Sequence, residues 1–446
     1  MDKSLLPELT ILGAGLSGLS LAYHYPGKST IFEKLDTIGG TARTEEANGL
    51  LYDYGPHLSF TDDPYVISLL SKCTSVFERD AKPSNTYRGI EFPHPVLFHL
   101  DKLPKEECYK ILIDLFRAYK SHDDTHKAQN YRDWCEQNQG EYFAHNYTRA
   151  YTKKFWCTEP QNLSTEWIGN RVPAPSIEQA IRGAIGLQSE SGYYFQRYVY
   201  PQKGGFGAFS NFWKDRQKDI SVLLNREVAF VDTKSKSIGF NDGTIKKYEI
   251  LVSTIPIPEM SNIILSLDNG VKEMISQLKY TSLHYINIAI KGDWKGDSSW
   301  LYFYDEDNPA TRLIAFNKFS PNMAPDGYTA LQIEIPYVSE FDGSYIDKSI
   351  AAIEKLGYIN RSNIVDIHNR DLRYGYVIYD SNREELVERI IGEFKKMGIR
   401  SLGRYGTWAY LWSHQVILQG KELAEEIAKN MGESRSVEDL DVPESL

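Results

Sequence analysis

"LTILGAGLSGLSLAYHYPGKSTIFEK" (residues 9–34) decides the fold. "LTIL" is a short apolar run suited to a buried parallel strand, and "LSGLSLAYHY" carries apolar residues at helical spacing. Between them Gly13, Gly15 and Gly18 stand at G-x-G-x-x-G spacing. The first glycine makes a tight turn, and the second lets backbone approach a pyrophosphate. The third lets helix pack on strand, and the helix N-terminus faces the phosphate charge. "STIF" supplies a second strand ending at Glu33, 20 residues after Gly13, where an acid grips a ribose hydroxyl. The glycines alone are a weak signal. Strand, glycines, helix, strand and acid in this order predict a dinucleotide-binding unit.

At 446 residues the chain is long enough for two or three interlocked domains. Hydrophobic content of 41% and charged content of 25% are ordinary for a soluble globular protein. The formal net charge of −10 argues against a nucleic-acid partner, yet allows a local basic pocket for an anionic substrate. Cys73, Cys108, Cys135 and Cys157 have neither Cys-x-x-Cys nor metal-ligand spacing, so they read as reduced thiols of a cytoplasmic protein. No apolar run approaches the roughly 18 residues of a membrane span, and the apolar N-terminal segment begins the fold rather than acting as a signal peptide.

Further along, "KEECYKILIDLFRAYKSH" (105–122) has an apolar stripe at helical period, in a segment (103–150) that reads mostly helical. "KSIGFNDGTIKKYEILVSTIPIP" (236–258) is β-like, with a hairpin turn at Asp242-Gly243 and a strand at "EILVSTIP" that returns to the nucleotide-binding sheet. "HYINIAI" (284–290) and "ALQIEIP" (330–336) predict a separate sheet, and "REELVERIIGEFKKMGI" (383–399) predicts an amphipathic helix. "GESRSVEDLDVPESL" (432–446) is polar, acidic and expected to be disordered. No linker separates independent domains, so the nucleotide-binding domain is expected to be assembled from discontinuous pieces.

"IGGTART" (38–44) resembles the extended FAD signature of amine-oxidase-like flavoproteins. Its Gly39 and Gly40 would approach the flavin's phosphates, with Arg43 near the isoalloxazine side. "YDYGPHLSFTDD" (52–63) then resembles the segment that UDP-galactopyranose mutases place beside the flavin, where His57 matches the histidine near N5. Proline fixes its own φ and Gly55 can take angles closed to other residues, so His57 is held in one orientation. A purely structural turn is the other reading of that stiffness. "YTKKFWCTEPQNLSTEWIGNRVP" (151–173), "NPATRLIAFNKFSP" (308–321) and "GRYGTWAYLWSHQVI" (403–417) match further mutase segments in chain order. "YPQKGGFG" (200–207) and "RYGYVIYD" (373–380) are looser counterparts.

The resemblance implies an α/β fold: a Rossmann-like FAD-binding domain of discontinuous segments, an inserted helical domain and a mixed β-sheet substrate domain. The expected segments are 1–100, 191–275 and 386–431 for FAD binding, 101–190 for the helical insertion, 276–385 for the substrate sheet and 432–446 for the tail. It implies a catalytic set of His57, Arg171, Arg312 and Tyr410, and a substrate-binding set of Trp156, Tyr194, Tyr376 and Trp412. Gly13, Gly15, Leu16, Gly18, Glu33, Lys34, Gly40, Thr41, Arg43, Val228, Arg404 and Gln415 would hold non-covalent FAD, active when reduced. Two arginines from different elements can clamp a diphosphate by charge-assisted hydrogen bonds. A surface salt bridge is the commoner fate of any one arginine, and core packing is the alternative for Trp156.

The implied partner is a nucleotide-diphosphate sugar, and the implied activity is interconversion of pyranose and furanose forms through a reduced-flavin N5–sugar adduct. That activity belongs to cell-surface polysaccharide biosynthesis; whether the chain forms a homo-oligomer stays open. Two departures from the mutase pattern bear on the substrate. Trp412 and His414 stand where mutases carry acids, and "PHPVLFHL" (93–100) lacks the amides of the bacterial motif. They leave the identity of the sugar and nucleotide open. The alternatives are an FAD-dependent oxidase or desaturase acting on an apolar substrate, and a flavoprotein that only binds.

Overall fold

The structure, a computed structural model of the chain, describes residues 6–121, 127–187 and 197–430. Leu9–Leu12 pairs parallel with Ser29–Phe32 on one side and Ile250–Ser253 on the other. Ile220–Leu223 and Ile399–Ser401 complete a five-stranded parallel sheet, ordered 399–401, 250–253, 9–12, 29–32, 220–223. Its strands come from three stretches of chain far apart in sequence. Leu9–Leu12 and Ser29–Phe32 are buried throughout, as a sheet covered on both faces requires.

All nine residues of helix Leu16–His24 are buried. The C-terminal helix Ser413–Asn430 lies against it, and Ser20 Oγ donates to the Ile417 carbonyl at 2.6 Å. A Cβ on Gly420 would stand 2.8 Å from the Ser17 carbonyl oxygen, so only glycine permits this approach. The strand "EILVSTIP", the Asp242-Gly243 turn (Gly243 φ 83°) and the helix Arg383–Lys396 all form where the residue pattern predicts them.

The second sheet has seven strands, ordered 364–377, 280–291, 328–337, 312–315, 300–303, 83–87, 90–93. Its pairings are antiparallel except that of Trp300–Phe303 with Pro83–Tyr87. One face carries Ile286, Ile288, Ile333 and Ile335, which pack beneath Ile350 and Ile353 of helix Ser344–Lys355. The other face carries Tyr285, Asn287, Gln332, Glu334 and Arg312, all buried or nearly so. The alternation along these strands thus separates an apolar face from a buried polar one.

Two strands of this sheet, Pro83–Tyr87 and Ile90–Pro93, fall inside the segment 1–100 expected to belong to the FAD-binding part. They extend the second sheet because Pro83–Thr86 runs in register beside Trp300–Phe303. The helical segment comprises Lys105–Lys120, Tyr131–Gln139, Arg149–Phe155 and Ile177–Ala184. The acidic tail expected over 432–446 lies outside the described residues. Among the described residues no helix is long and apolar enough to cross a membrane.

Asp53 ties the first hairpin, Thr44–Ala47 paired with Leu50–Asp53, to the loop 203–207. Its buried carboxylate accepts from Thr44 Oγ1 at 2.5 Å and the Phe206 N–H at 3.0 Å, and also from the Tyr200 hydroxyl. Burial pushes Asp53 up to about 6, from an ordinary 3.8. The folded state therefore favours the protonated form, and that contribution is lost as pH rises through 6. Measured against Asp53→Asn, the wild type should lose on the order of 2–3 kcal/mol of unfolding free energy between pH 4 and 7.5. A pH-independent difference in urea unfolding would show that this carboxylate titrates normally.

Candidate active site

The glycine loop is built as its spacing predicts. Gly13 has φ 102°, and a Cβ there would meet Thr254 Oγ1 at 2.2 Å. A Cβ on Gly18 would stand 2.2 Å from the Gly13 oxygen, so this glycine lets the helix sit on the turn. Gly15 and Gly40 face each other: a Cβ on Gly40 would lie 3.1 Å from the Gly15 Cα. The Gly39 N–H donates to the Ala14 carbonyl at 2.8 Å, joining the two glycine segments side by side. Together with the start of the helix at Leu16 they form a cradle of bare backbone.

Glu33 is buried at the end of its strand, where Oε2 accepts from the Ala14 N–H at 2.8 Å and Oε1 from the Leu35 N–H at 3.0 Å. A carboxylate has about four acceptor sites, so both oxygens retain capacity for a hydroxyl. The Arg226 N–H donates to the Glu33 carbonyl at 2.8 Å, which brings strand Val228–Asp232 beside the same corner. Lys34 is exposed. Gln415 accepts from the Trp412 N–H at 2.9 Å at the start of the C-terminal helix.

His57 follows the turn at Gly55, whose φ is 92°. The turn is pinned from the second sheet. The Gly55 N–H donates to Gln332 Oε1 at 3.1 Å, Gln332 Nε2 donates to the Asp53 carbonyl at 2.8 Å, and the Tyr285 hydroxyl donates to the Tyr54 carbonyl at 3.3 Å. The His57 ring lies 5.5 Å from that of Phe206, and its buried Nδ1 makes no hydrogen bond among the described residues. Burial, reinforced by the charges of Arg404 and Arg312, pushes His57 down to about 4, so it is neutral at pH 7.

Tyr410 stands between two cations. The Arg404 guanidinium lies 4.7 Å from its ring centroid and that of Arg171 lies 5.1 Å away. Arg171 donates to the Trp167 and Tyr410 carbonyls, both at 2.9 Å, and its guanidinium lies 5.8 Å from the ring of Trp412. Arg404 donates to the carbonyls of Leu411 at 3.1 Å and Gly375 at 3.2 Å, while its buried Nε makes no hydrogen bond among the described residues. Burial works against the Arg404 charge, but Tyr405, Tyr410 and Tyr376 around it raise its pKa above the ordinary value. Thr41 contacts the Tyr405 hydroxyl.

Three expected site residues have other partners than those anticipated. Arg312, expected on an anion, faces Glu334 in register on the next strand; Nη2 donates to Oε1 at 2.8 Å and Oε2 at 2.7 Å. The Tyr376 hydroxyl bridges the pair, at 2.5 Å from Arg312 Nη2 and 3.1 Å from Glu334 Oε1. A buried carboxylate thus already neutralises this arginine. Trp156, expected to stack on a substrate, is 2% exposed and packs edge-on against Trp167, Tyr376 and Tyr410, forming the wall behind the site. Arg43, expected near the flavin, lies 3.7 Å above the Tyr54 ring and donates to the Gly40 carbonyl at 2.7 Å. Tyr194 lies outside the described residues.

Trp412 continues the aromatic wall, edge-on to Phe60 at 5.9 Å and near His414. Glu334 and Gln332 were not among the expected site residues. Two polar side chains within the otherwise apolar "ALQIEIP" were the signal available for them.

Residues 11–73 match the model of an NAD(P)-binding Rossmann-like domain. Over the whole chain the fold is similar to that of reduced UDP-galactopyranose mutase, at 23% identity and a TM-score of 0.86, covering 96% of this chain and 94% of the other. It is also similar to a CLA-producing fatty acid isomerase from P. acnes (13% identity, TM-score 0.63, 96% and 99% covered). Putrescine oxidase in its wild-type form bound to putrescine matches at 15% identity and a TM-score of 0.63, with 95% and 99% covered. The chain therefore has the fold shared by UDP-galactopyranose mutase, the fatty acid isomerase and putrescine oxidase, with a Rossmann-like dinucleotide-binding domain opening at its N-terminus.

Proposed function

We propose that the protein binds FAD non-covalently and, with the flavin reduced, interconverts pyranose and furanose forms of a nucleotide-diphosphate sugar. The likeness to UDP-galactopyranose mutase supports this reading. The observation that carries it is the cationic wall, in which Arg171 and Arg404 flank Tyr410. Carbonyl dipoles hold Arg404 without cancelling its charge, as a carboxylate cancels that of Arg312. A diphosphate suits such a wall; an apolar substrate offers it no anion.

The residues present fit FAD. Gly13, Gly15 and Gly40 leave the space that a pyrophosphate takes, beside a helix N-terminus. Glu33 can accept a ribose hydroxyl, and the buried His57 Nδ1 and Arg404 Nε make no hydrogen bond among the described residues. Reduced FAD, when bound, supplies the electron pair that displaces the nucleotide diphosphate from the anomeric carbon. The side chains then have three tasks. Arg171 and the Tyr410 hydroxyl hold the departing diphosphate, where charge develops. Neutral His57 offers Nδ1 as a fixed hydrogen-bonding atom, and Trp156 with Trp412 excludes water from the chamber.

Gly15→Ala tests the cofactor site. With φ −73° at this residue and its added Cβ at 3.9 Å from the Gly40 Cα, alanine fits the backbone but occupies the cradle. The variant should keep wild-type thermal stability and be purified largely colourless, whereas the wild type releases FAD on denaturation. A yellow variant with a full complement of FAD would move the phosphates elsewhere. A screen of nucleotide sugars against the dithionite-reduced protein, read for products of identical mass, tests the activity. Reduction of oxygen by an amine or porphyrinogen substrate would instead favour the oxidase reading suggested by the putrescine oxidase fold.

A further inference from the structure

Three polar residues, Asn287 and Gln332 buried and His368 half-buried, lie in one row across the second sheet. His368, Asn287 and Gln332 are direct cross-strand neighbours, His368 opposite Asn287 and Asn287 opposite Gln332. Asn287 is 2% exposed and Gln332 is 1% exposed. The row ends at the turn that carries His57, through the Gln332 bonds to Gly55 and Asp53.

The polarity of every bond in this row is set from the turn. The Gly55 N–H can only donate, so Gln332 must present Oε1 to it. The Asp53 carbonyl can only accept, so Gln332 Nε2 faces it and also donates to Asn287 Oδ1 at 2.8 Å. Asn287 is thereby left with Nδ2 toward His368, and it donates to Nε2 at 3.0 Å. His368 Nε2 must then be an acceptor, with the ring proton on Nδ1, which faces the Asp366 carboxylate at 3.9 Å.

We infer that this row is a relay that couples the protonation of His368 to the conformation of the Gly55–His57 turn. A proton on Nε2 would set two donors face to face. The relief available is rotation of the Asn287 amide, which in turn opposes the Gln332 amide. Rotation of Gln332 then points its Nε2 at the Gly55 N–H and its Oε1 at the Asp53 carbonyl. The mismatch is thus passed along the row until it reaches the turn. A single apolar residue in any of the three positions would break the chain; the fold has none.

Several groups face His368 and set where it titrates. Asp366 lies on its own strand, and Asn48 Nδ2 donates to that carboxylate at 3.0 Å. Arg370, two residues on, pairs with Glu45 of the first hairpin at 2.7 Å. The Tyr52 ring lies edge-on at 5.0 Å. Burial, helped by Arg370, holds His368 below its ordinary range, while Asp366 and Glu45 act in the other direction. The relay is therefore set for the His57 turn at neutral pH and is upset in acid.

The structural coupling stands without any assigned reaction; its effect on turnover rests on the mutase reading. Imidazole signals of the purified, full-length protein, labelled with carbon-13 histidine, can be followed by NMR from pH 7.5 to 4.5, with His57 assigned by its loss in His57→Asn. The wild-type His57 signal should shift in step with the titration of His368. In His368→Gln, whose Oε1 accepts from Asn287 at every pH, that step should vanish. Asn287→Asp should move the His368 titration up by about one pH unit or more, because a carboxylate accepts from both the protonated ring and Gln332.

A His57 signal blind to His368, a step that persists in His368→Gln, or an unmoved titration in Asn287→Asp would each overturn the relay. Should His368→Gln fail to fold, the Asn287→Asp titration decides alone. Where His368 is protonated, kcat of the reduced wild type should fall roughly tenfold below that of His368→Gln, with KM little changed. Absence of mutase turnover in all variants would count against the assigned reaction and leave the NMR result to judge the relay.

Discussion

Arg312→Ala should destabilise the fold by about 3–5 kcal/mol, because it leaves the Glu334 carboxylate buried without its counter-charge. Glu334 is fully buried in the middle of a strand, and Arg312 is 13% exposed. The Tyr376 hydroxyl and Thr311 Oγ1 would remain near Glu334, at 3.1 and 3.3 Å, but two hydroxyls cannot replace a bidentate guanidinium. The double variant Arg312→Ala with Glu334→Gln removes the stranded charge and should recover most of the loss. Urea unfolding of the three proteins reads this directly. Equal midpoints for the wild type and Arg312→Ala would show that the pair contributes nothing. The result also guards against a misreading, since weak ligand binding in Arg312→Ala would report a damaged sheet before it reported a lost anion contact.

Arg171→Ala should behave in the opposite way. The arginine bonds two carbonyls at the edge of the aromatic wall and lies at 5.1 Å over the ring of Tyr410. Its removal should leave the flavin spectrum and the unfolding midpoint close to those of the wild type. Affinity for the nucleoside diphosphate of whichever nucleotide sugar turns over should fall by about 2–5 kcal/mol, the usual cost of losing one side of a desolvated charge pair. Calorimetry on the reduced and oxidised proteins measures it. Unchanged affinity would remove Arg171 from the diphosphate site and leave Arg404 as its principal cation.

The nucleotide-binding unit was legible because its signals are local. Gly13, Gly15, Gly18 and Glu33 lie within one strand–helix–strand segment, and each answers to a steric or hydrogen-bonding need visible at short range. The strand at 250–253 was legible for the same reason, as a continuous apolar run. Strand Pro83–Tyr87 was not, because "PSNTY" has a proline and three polar residues, and its place is set by pairing with a strand more than 200 residues away. The Arg312–Glu334 pair hides in the same manner. Nothing local says that residues 312 and 334 are opposite each other; the register of two strands does. The row of His368, Asn287 and Gln332 requires the register of three. Trp156 shows the limit for aromatic residues, since a core wall and a stacking platform are written with the same side chain.

In the proposed reaction the flavin works reduced and no net oxidation occurs. The direct measurement is turnover of a nucleotide sugar by the purified protein with and without dithionite, following product mass and acceptor consumption together. The reduced protein should give product of unchanged mass and the oxidised protein none, and His57→Ala should lose most turnover with FAD retained. Turnover by the oxidised protein with one equivalent of acceptor reduced would contradict it and assign the chain to oxidase chemistry.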